Sequence, residues 1–263
     1  MREIRLAMTV AETKSGDWLV ADVDGVFIVK KGTSKVVAEF PSQGFSCVRL
    51  NAEGTLLAAA TYKQVLLFSV PGFRRLWEAK SPFFESRELW FAKDGLWHFA
   101  RTGCERLDLK TGRQKETRTK PLRVTEVRAD GKWELGPAGV GAPRKKRIAF
   151  QFELARFLPN GDVFAADGSS GRLELLVVEA ATGTVKRRAV GPKIGLRKLA
   201  HLSISPSGAK AVVTVEEGIA VIDVDSLSIE VRRNRTAQLG YVTSDDQTLL
   251  VLSTKFEKHA LKR

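Results

Sequence analysis

Cysteine, histidine and long apolar runs are scarce in this 263-residue sequence, and each scarcity excludes a class of protein. Two cysteines, Cys47 and Cys104, can form at most one disulfide bond, so a disulfide-rich secreted module is excluded and a reducing cytoplasm is the expected location. No apolar run approaches the roughly 18 residues that cross a bilayer, so we expect no membrane-spanning segment. The apolar residues 6–11, behind Arg2 and Arg5, are fewer than the roughly 7–15 of a secretory signal core.

The three histidines, His98, His201 and His259, have no carboxylate or cysteine at metal-ligand spacing, so the sequence predicts neither a metal site nor a cofactor. We expect His98 and His201 to be partly buried strand residues with hydrogen-bond partners. The sequence also lacks a phosphate-binding G-x-x-x-x-G-K-[ST] loop, a G-x-S-x-G nucleophile motif and an H-E-x-x-H zinc motif. We therefore expect no small-molecule substrate and no enzyme activity.

A surplus of positive charge is the unusual feature of the composition. Lysine and arginine number 43 against 30 aspartates and glutamates, which gives a net charge of +13. The surplus is spread along the chain rather than gathered in a basic tail. Charge of this size favours association with anionic surfaces but does not identify one.

A short motif recurs seven times and indicates the architecture. A few alternating apolar residues are followed by polar residues and then by a glycine or, in the last copy, by an aspartate. The copies end at Gly16, Gly54, Gly95, Gly131, Gly161, Gly208 and Asp246. The steps between them are 38, 41, 36, 30, 47 and 38 residues, a period near 38. Such a period indicates stacked or radially arranged units.

Short strand-like runs follow each copy of the motif. Residues 18–23 and 56–60 are first runs, and residues 26–29 and 65–70 are second runs. A polar turn, best seen in residues 108–112, then leads to a third run. With the run that precedes the glycine, each unit therefore contains four antiparallel strands joined by short turns, and helices are not expected.

Seven such units predict an all-β fold, a seven-bladed β-propeller that takes in residues 1–263 as one domain. The expected blades are approximately residues 1–40, 41–81, 82–120, 121–147, 148–190, 191–232 and 233–263. The fourth interval has only 30 residues, so we expect a degenerate fourth blade. Only about 17 residues follow Asp246, too few to complete a four-stranded last blade, and we expect residues 2–6 to complete it. A solenoid of stacked sheets is the structural alternative, but the uneven steps and the total of seven favour a closed ring.

Two motifs carry a resemblance to a known superfamily. Residues 201–208 (HLSISPSG) follow an apolar-x-apolar-x-Pro-x-Gly pattern, and residues 107–112 (LDLKTG) contain a Leu-Asp-x-x-Thr-Gly turn. Both resemble the WD40-like and YVTN-like β-propeller superfamily, and the resemblance extends over nearly the whole chain. It implies a propeller fold. The sequence lacks the Gly-His and Trp-Asp dipeptides of regular WD40 repeats, so the hydrogen-bond tetrad of those repeats is not expected here.

The basic residues fall into two sets by their place in the predicted blades. One set lies on the outer strands, where lysine and arginine block edge-to-edge aggregation. The other lies in the connections between blades, which share one face of a propeller and would make that face positive. With two adjacent phenylalanines, this second set gives the predicted partner-binding residues Lys80, Phe83, Phe84, Lys120, Arg123, Lys193, Arg197, Lys198 and Arg235. The alternatives are solvated loops for the cations and a core position for one phenylalanine.

These observations favour a non-catalytic protein–protein interaction scaffold, a subunit of a larger cytoplasmic complex, that binds an acidic partner surface through this basic, aromatic-bearing face. Nucleic-acid binding is the first alternative, through the same face or through the run Arg144, Lys145, Lys146 and Arg147. A propeller hydrolase or lyase is the second alternative, and the scarcity of histidine argues against it. No membrane partner is expected.

Overall fold

A computed structural model describes residues 7–33, 35–41, 44–119, 126–128, 134–136, 139–141, 152–194, 199–253 and 255–261. This part of the chain consists of β-strands and turns, and it contains no helix that is long and apolar enough to cross a membrane. The strands form antiparallel sheets in two units, whose described residues are 7–128 and 134–261.

Three four-stranded sheets make up most of the first unit, and consecutive strands are hydrogen-bonded in each. The first sheet contains β1 (Ala7–Glu12), β2 (Trp18–Asp22), β3 (Gly25–Val29) and β4 (Val36–Pro41). The second contains β5 (Cys47–Leu50), β6 (Leu56–Ala60), β7 (Gln64–Ser69) and β8 (Arg75–Lys80). The third contains β9 (Ser86–Ala92), β10 (Gly95–Ala100), β11 (Gly103–Leu107) and β12 (Gln114–Arg118), and the short β13 (Glu126–Val127) follows.

In the sheets of the second unit, too, strands that follow one another in the chain are hydrogen-bonded neighbours. It begins with a short antiparallel pair, β14 (Glu134–Gly136) and β15 (Gly139–Gly141). Two four-stranded sheets follow: β16 (Leu154–Phe157), β17 (Val163–Asp167), β18 (Arg172–Val178) and β19 (Val185–Lys193), then β20 (His201–Ile204), β21 (Lys210–Val215), β22 (Gly218–Asp223) and β23 (Ile229–Arg233). A three-stranded sheet contains β24 (Leu239–Val242), β25 (Thr248–Leu252) and β26 (Phe256–Ala260).

The core lies between neighbouring sheets, which explains the apolar composition of the middle strands. All residues of β2 and β3 are buried, whereas β4 alternates between half-buried and exposed residues. Ile28 of the first sheet packs in one cluster with Leu57 and Phe68 of the second. Leu67 of the second sheet packs in another cluster with Leu96 of the third. A middle strand covered on both faces needs a continuous apolar run, and burial of that surface is the main stabilising term.

The turns of the repeated motif have the backbone conformation that their sequence predicts. Four of the motif glycines have positive φ angles between 67° and 88°, at positions 16, 54, 161 and 208. Asp246, the aspartate of the last copy, adopts the same conformation with φ of 56°. Aspartate tolerates this left-handed region better than most side chains but is strained there relative to glycine. Five of the seven copies therefore share one turn geometry, whereas Gly95 has a φ angle of 149° and Gly131 lies outside the described residues.

The later turns of the sheets are closed by aspartate side chains. Asp108 Oδ1 accepts the backbone N–H groups of Lys110 and Thr111, each at 2.9 Å. Asp223 Oδ1 accepts the N–H of Ser226 at 2.9 Å, and Asp223 Oδ2 accepts from Lys210 Nζ at 2.9 Å. The Ser226 N–H, and then Lys210, lower the pKa of Asp223 to about 2, since both stabilise the ionised carboxylate.

The predicted all-β architecture of antiparallel four-stranded sheets is confirmed by these elements. The count of seven blades and their boundaries stay predictions. Most of the predicted fourth blade, residues 121–147, lies outside the described residues, which include only the short strands β13, β14 and β15 there. Residues 2–6, predicted to complete the last blade, also lie outside them.

Candidate functional site

Two exposed aromatic side chains touch each other in the first unit. Tyr62 lies in the turn between β6 and β7, and Phe84 lies in the connection between β8 and β9. Their ring centroids are 5.4 Å apart, with 35° between the ring planes. Tyr62 is 58% exposed and Phe84 43%, and no other aromatic side chain of the described residues is exposed. Exposed aromatic side chains of this kind are typical anchors of protein interfaces.

The connection between β8 and β9, residues 81–86 and here called the Phe84 connection, turns one phenylalanine inward and the next outward. The Phe83 N–H donates to Ser81 Oγ at 3.1 Å, and the Phe83 side chain is buried. Its ring lies so close to Gly103 that a Cβ atom there would come within 2.5 Å of it. Phe83 is therefore a core residue, and the anchor role predicted for both phenylalanines is kept for Phe84 alone.

The turn that carries Tyr62, residues 61–63 and here called the Tyr62 turn, is fastened to the Phe84 connection at two points. The Ser81 N–H donates to the carbonyl of Lys63 at 2.9 Å. The Ser86 hydroxyl donates to the carbonyl of Thr61 at 3.0 Å. Because the two bonds join the ends of both segments, they set the distance between the two aromatic residues.

A fully buried histidine contacts both ends of the Phe84 connection. His98 of β10 has its Nε2 atom 2.7 Å from Ser86 Oγ and its Nδ1 atom 3.4 Å from Ser81 Oγ. Nδ1 also lies 3.0 Å from Glu105 Oε1 of β11. The second oxygen of Glu105 accepts from Gln114 Nε2 at 2.9 Å. His98 is thus the buried strand histidine with hydrogen-bond partners that the sequence predicts.

Glu105, His98 and Ser86 follow the hydrogen-bond order of a serine hydrolase triad. A nucleophile must be open to its substrate, whereas Ser86 is only 8% exposed. Its hydroxyl also donates to the Thr61 carbonyl. The arrangement is therefore an internal network that satisfies buried polar groups, as burial requires.

Most cations of the outer strands are paired with carboxylates, whereas two lysines near the aromatic pair are not. Seven outer-strand cations pair with carboxylates, namely Arg75, Lys115, Arg118, Lys186, Arg187, Arg188 and Arg232. In the Tyr62 turn Lys63 is exposed, as is Lys80 at the end of β8, and neither has a carboxylate within salt-bridge distance among the described residues. The nearby Glu85 is compensated by Arg101, whose Nη1 atom lies 3.2 Å from both carboxylate oxygens. The two lysines thus leave the neighbourhood of the aromatic pair positive.

The other predicted partner-binding residues are distributed over the chain. Lys193 ends β19 and Arg235 follows β23, and both are exposed in the second unit. Arg235 lines a shallow polar pocket with Glu217, Arg233 and Asn234. Outside the described residues lie Lys120, Arg123, Arg197 and Lys198, and likewise Arg144, Lys145, Lys146 and Arg147 of the alternative nucleic-acid site. The convergence of the predicted cations on one face stays a prediction.

The described part of the chain contains no cluster of side chains arranged to bind a metal ion, and the pKa of Cys47 is not that of a reactive thiol. No three His, Cys, Asp or Glu side chains of the described residues come together to hold a metal ion. Burial, and then the charge of Glu88, raise the pKa of the half-buried Cys47 thiol. Cys104 is buried. A thiol whose pKa is raised has little of the reactive thiolate at neutral pH.

Sequence reasoning missed Tyr62 and Lys63. The signal was available, since the chain has only two tyrosines and this one lies in a polar turn between two apolar runs. What the sequence does not contain is the contact with Phe84, 22 positions further on, because that contact depends on how the two sheets pack.

Comparisons with known proteins support the fold. No protein-family model matches the sequence, and no curated protein matches it. The β-propeller domain of Cps50 (Swd1) from Myceliophteria thermophila is similar over the whole of both chains, with a TM-score of 0.74 and 11% identity. A chain of the mitotic checkpoint complex has a TM-score of 0.76 and 12% identity, with 99% of this chain and 91% of that one covered. Hsv2 from Kluyveromyces lactis has a TM-score of 0.66 and 9% identity over 95% and 90%. At these identities the likeness concerns the fold alone, and it confirms the β-propeller fold that the sequence predicts.

Proposed function

We propose that the chain is a non-catalytic interaction module of the cytoplasm, a subunit of a protein complex that binds a partner with an acidic surface. The observation that carries the proposal is the exposed contact between Tyr62 and Phe84, with the uncompensated Lys63 and Lys80 in the adjoining segments. A few aromatic anchors supply most of the energy of an interface, while charges around them steer and orient the partner.

The seven-bladed ring of residues 1–263 belongs to the same proposal. Five four-stranded sheets in the described residues, and the likeness to the Swd1 β-propeller domain, support it. One of the similar structures is a chain of a multi-protein assembly, the mitotic checkpoint complex, which supports the role of a complex subunit. Lys193 and Arg235 are candidate contacts of the second unit in this proposal.

Capture of partners from a cell extract by the immobilised chain tests the aromatic anchors. The double variant Tyr62→Ser, Phe84→Ser is expected to capture about tenfold less partner than the parent chain, since two hot-spot residues are removed. Val37→Ser is the matched control, because Val37 is 48% exposed on β4 of the first sheet. Equal capture by the double variant and the control would discard the proposal.

A second pair of variants tests the charge. Lys63→Glu combined with Lys80→Glu is expected to weaken capture and to reduce its dependence on salt. Lys35→Glu changes an exposed lysine of the turn between β3 and β4 and is expected to leave both unchanged. Mass spectrometry of the captured protein should show an acidic partner. Capture that is abolished by nuclease would instead support the nucleic-acid alternative.

A further inference from the structure

The docking surface proposed above consists of Tyr62, Lys63, Lys80 and Phe84. Its two aromatic residues lie on segments that are joined by two serines in contact with one buried imidazole, that of His98. The hydroxyl of Ser86, which ends the Phe84 connection, donates to the Thr61 carbonyl of the Tyr62 turn, and the same oxygen lies 2.7 Å from His98 Nε2. Ser81, which begins the connection, lies 3.4 Å from His98 Nδ1 and donates its N–H to the Lys63 carbonyl. His98 is therefore in contact with each of the two residues that join the Phe84 connection to the Tyr62 turn.

The imidazole is itself held in one orientation. Glu105 Oε1 lies 3.0 Å from Nδ1, and Gln114 fixes the other oxygen of the same carboxylate. The contacts at Nδ1 and Nε2 together fix the plane of the ring with Nε2 facing Ser86, which is how a second partner sets the orientation of a histidine ring. Since His98 and Glu105 are both buried, loss of one contact leaves a polar group unsatisfied.

We propose that His98 is a positioning residue of the docking surface, which fixes the Phe84 connection against the Tyr62 turn before any partner binds. The inference rests on the proposed function, because it concerns the same surface. Phe83 in the core and the Arg101 N–H bond to the Glu85 carbonyl at 3.2 Å keep the connection folded without the histidine. What His98 adds is a fixed placement of Phe84, which lowers the entropy that binding must overcome.

Amide hydrogen exchange of the free chain tests the proposal without a partner. The reporters are the N–H groups of Ser81, Phe83 and Arg101, which bond within or across the two segments. The controls are the N–H groups of Asn51 and Ser69, which close turns of the same sheet outside the two segments. A local role predicts that removal of the histidine contact accelerates the reporters by about tenfold and leaves the controls within about twofold.

His98→Gln is the principal variant, because it removes the imidazole while leaving in place the Ser86 bond to the Thr61 carbonyl and the Ser81 bond to the Lys63 carbonyl. Ser86→Ala removes the Nε2 contact together with the bond to the Thr61 carbonyl and is expected to accelerate the reporters at least as much, whereas Ser86→Thr keeps the hydroxyl and is expected to leave them near the parent rate. Equal acceleration of reporters and controls, or no acceleration of the reporters in His98→Gln, would overturn the proposal. If the reporters respond as expected while capture does not depend on Phe84, the positioning role stands and the docking function fails.

Discussion

Replacing Gly103 by alanine would place a methyl group where other atoms already lie. A Cβ atom at Gly103, the first residue of β11, would come 2.4 Å from the backbone oxygen of Arg118 and 2.5 Å from Phe83 Cε1. Non-bonded atoms prefer separations of about 3.5–4.0 Å, so both contacts are repulsive. Relief would require β12 to move away from β11 or the Phe83 ring to leave its site. We therefore expect Gly103→Ala to lower the free energy of unfolding by about 2–3 kcal/mol.

Urea unfolding measures this loss against a matched control. Gly72→Ala adds the same methyl group where no atom lies within 4 Å, so its free energy of unfolding should stay within about 0.5 kcal/mol of the parent. Adding Phe83→Leu to Gly103→Ala should recover part of the loss, because the two residues are in contact and their effects are coupled. Equal stability of Gly103→Ala and Gly72→Ala would refute the inward placement of Phe83, and with it the outward placement of Phe84.

Three further predictions concern turns and thiols. Asp246 is strained at φ of 56°, so Asp246→Gly should raise the free energy of unfolding, measured in urea, by about 0.5–1 kcal/mol. The reverse change Gly16→Asp, at φ of 79°, should lower the free energy of unfolding by about 1 kcal/mol. An Asp246→Gly variant less stable than the parent would contradict the strain. Because folding lowers the pKa of Asp223 from 3.8 to about 2, its stabilising contribution is complete above pH 3.8 and is lost as the pH falls through 2. The free energy of unfolding, measured across this range, should therefore depend less steeply on pH in Asp223→Asn than in the parent. An equally steep dependence would contradict the lowered pKa of Asp223. Cys47 and Cys104 should react with Ellman's reagent only as the chain unfolds, and rapid labelling of the folded chain would contradict the raised pKa of Cys47 or the burial of Cys104.

The sequence predicts the repeated unit well because local physics determines it. A turn that needs a positive φ selects glycine or aspartate, and even the exceptional last copy at Asp246 has the expected conformation. Middle strands covered on both faces select apolar runs, which identified β2, β6 and β21. Strand ends were less predictable. Lys80 pairs with Gln64 of β7 and Lys193 pairs with Arg172 of β18, so these lysines belong to β8 and β19 rather than to the connections between blades.

The candidate site depends on contacts that a sequence does not contain. Whether Phe83 or Phe84 points inward is decided by the space beside Gly103, which belongs to another strand. The network of His98, Glu105 and Ser86 joins residues from three strands through the register of the third sheet. Which cations remain uncompensated is likewise set by partners distant in sequence.

Photo-crosslinking in cells tests the docking surface most directly. A p-benzoylphenylalanine in place of Phe84 or of Tyr62 is predicted to form a covalent adduct with one acidic protein, because a side chain at the centre of an interface is covered by the partner. The same group in place of Val37, which is as exposed but lies in another sheet, is predicted to form none. Adducts of equal yield at positions 37 and 84, or a partner found at 37 alone, would contradict the account.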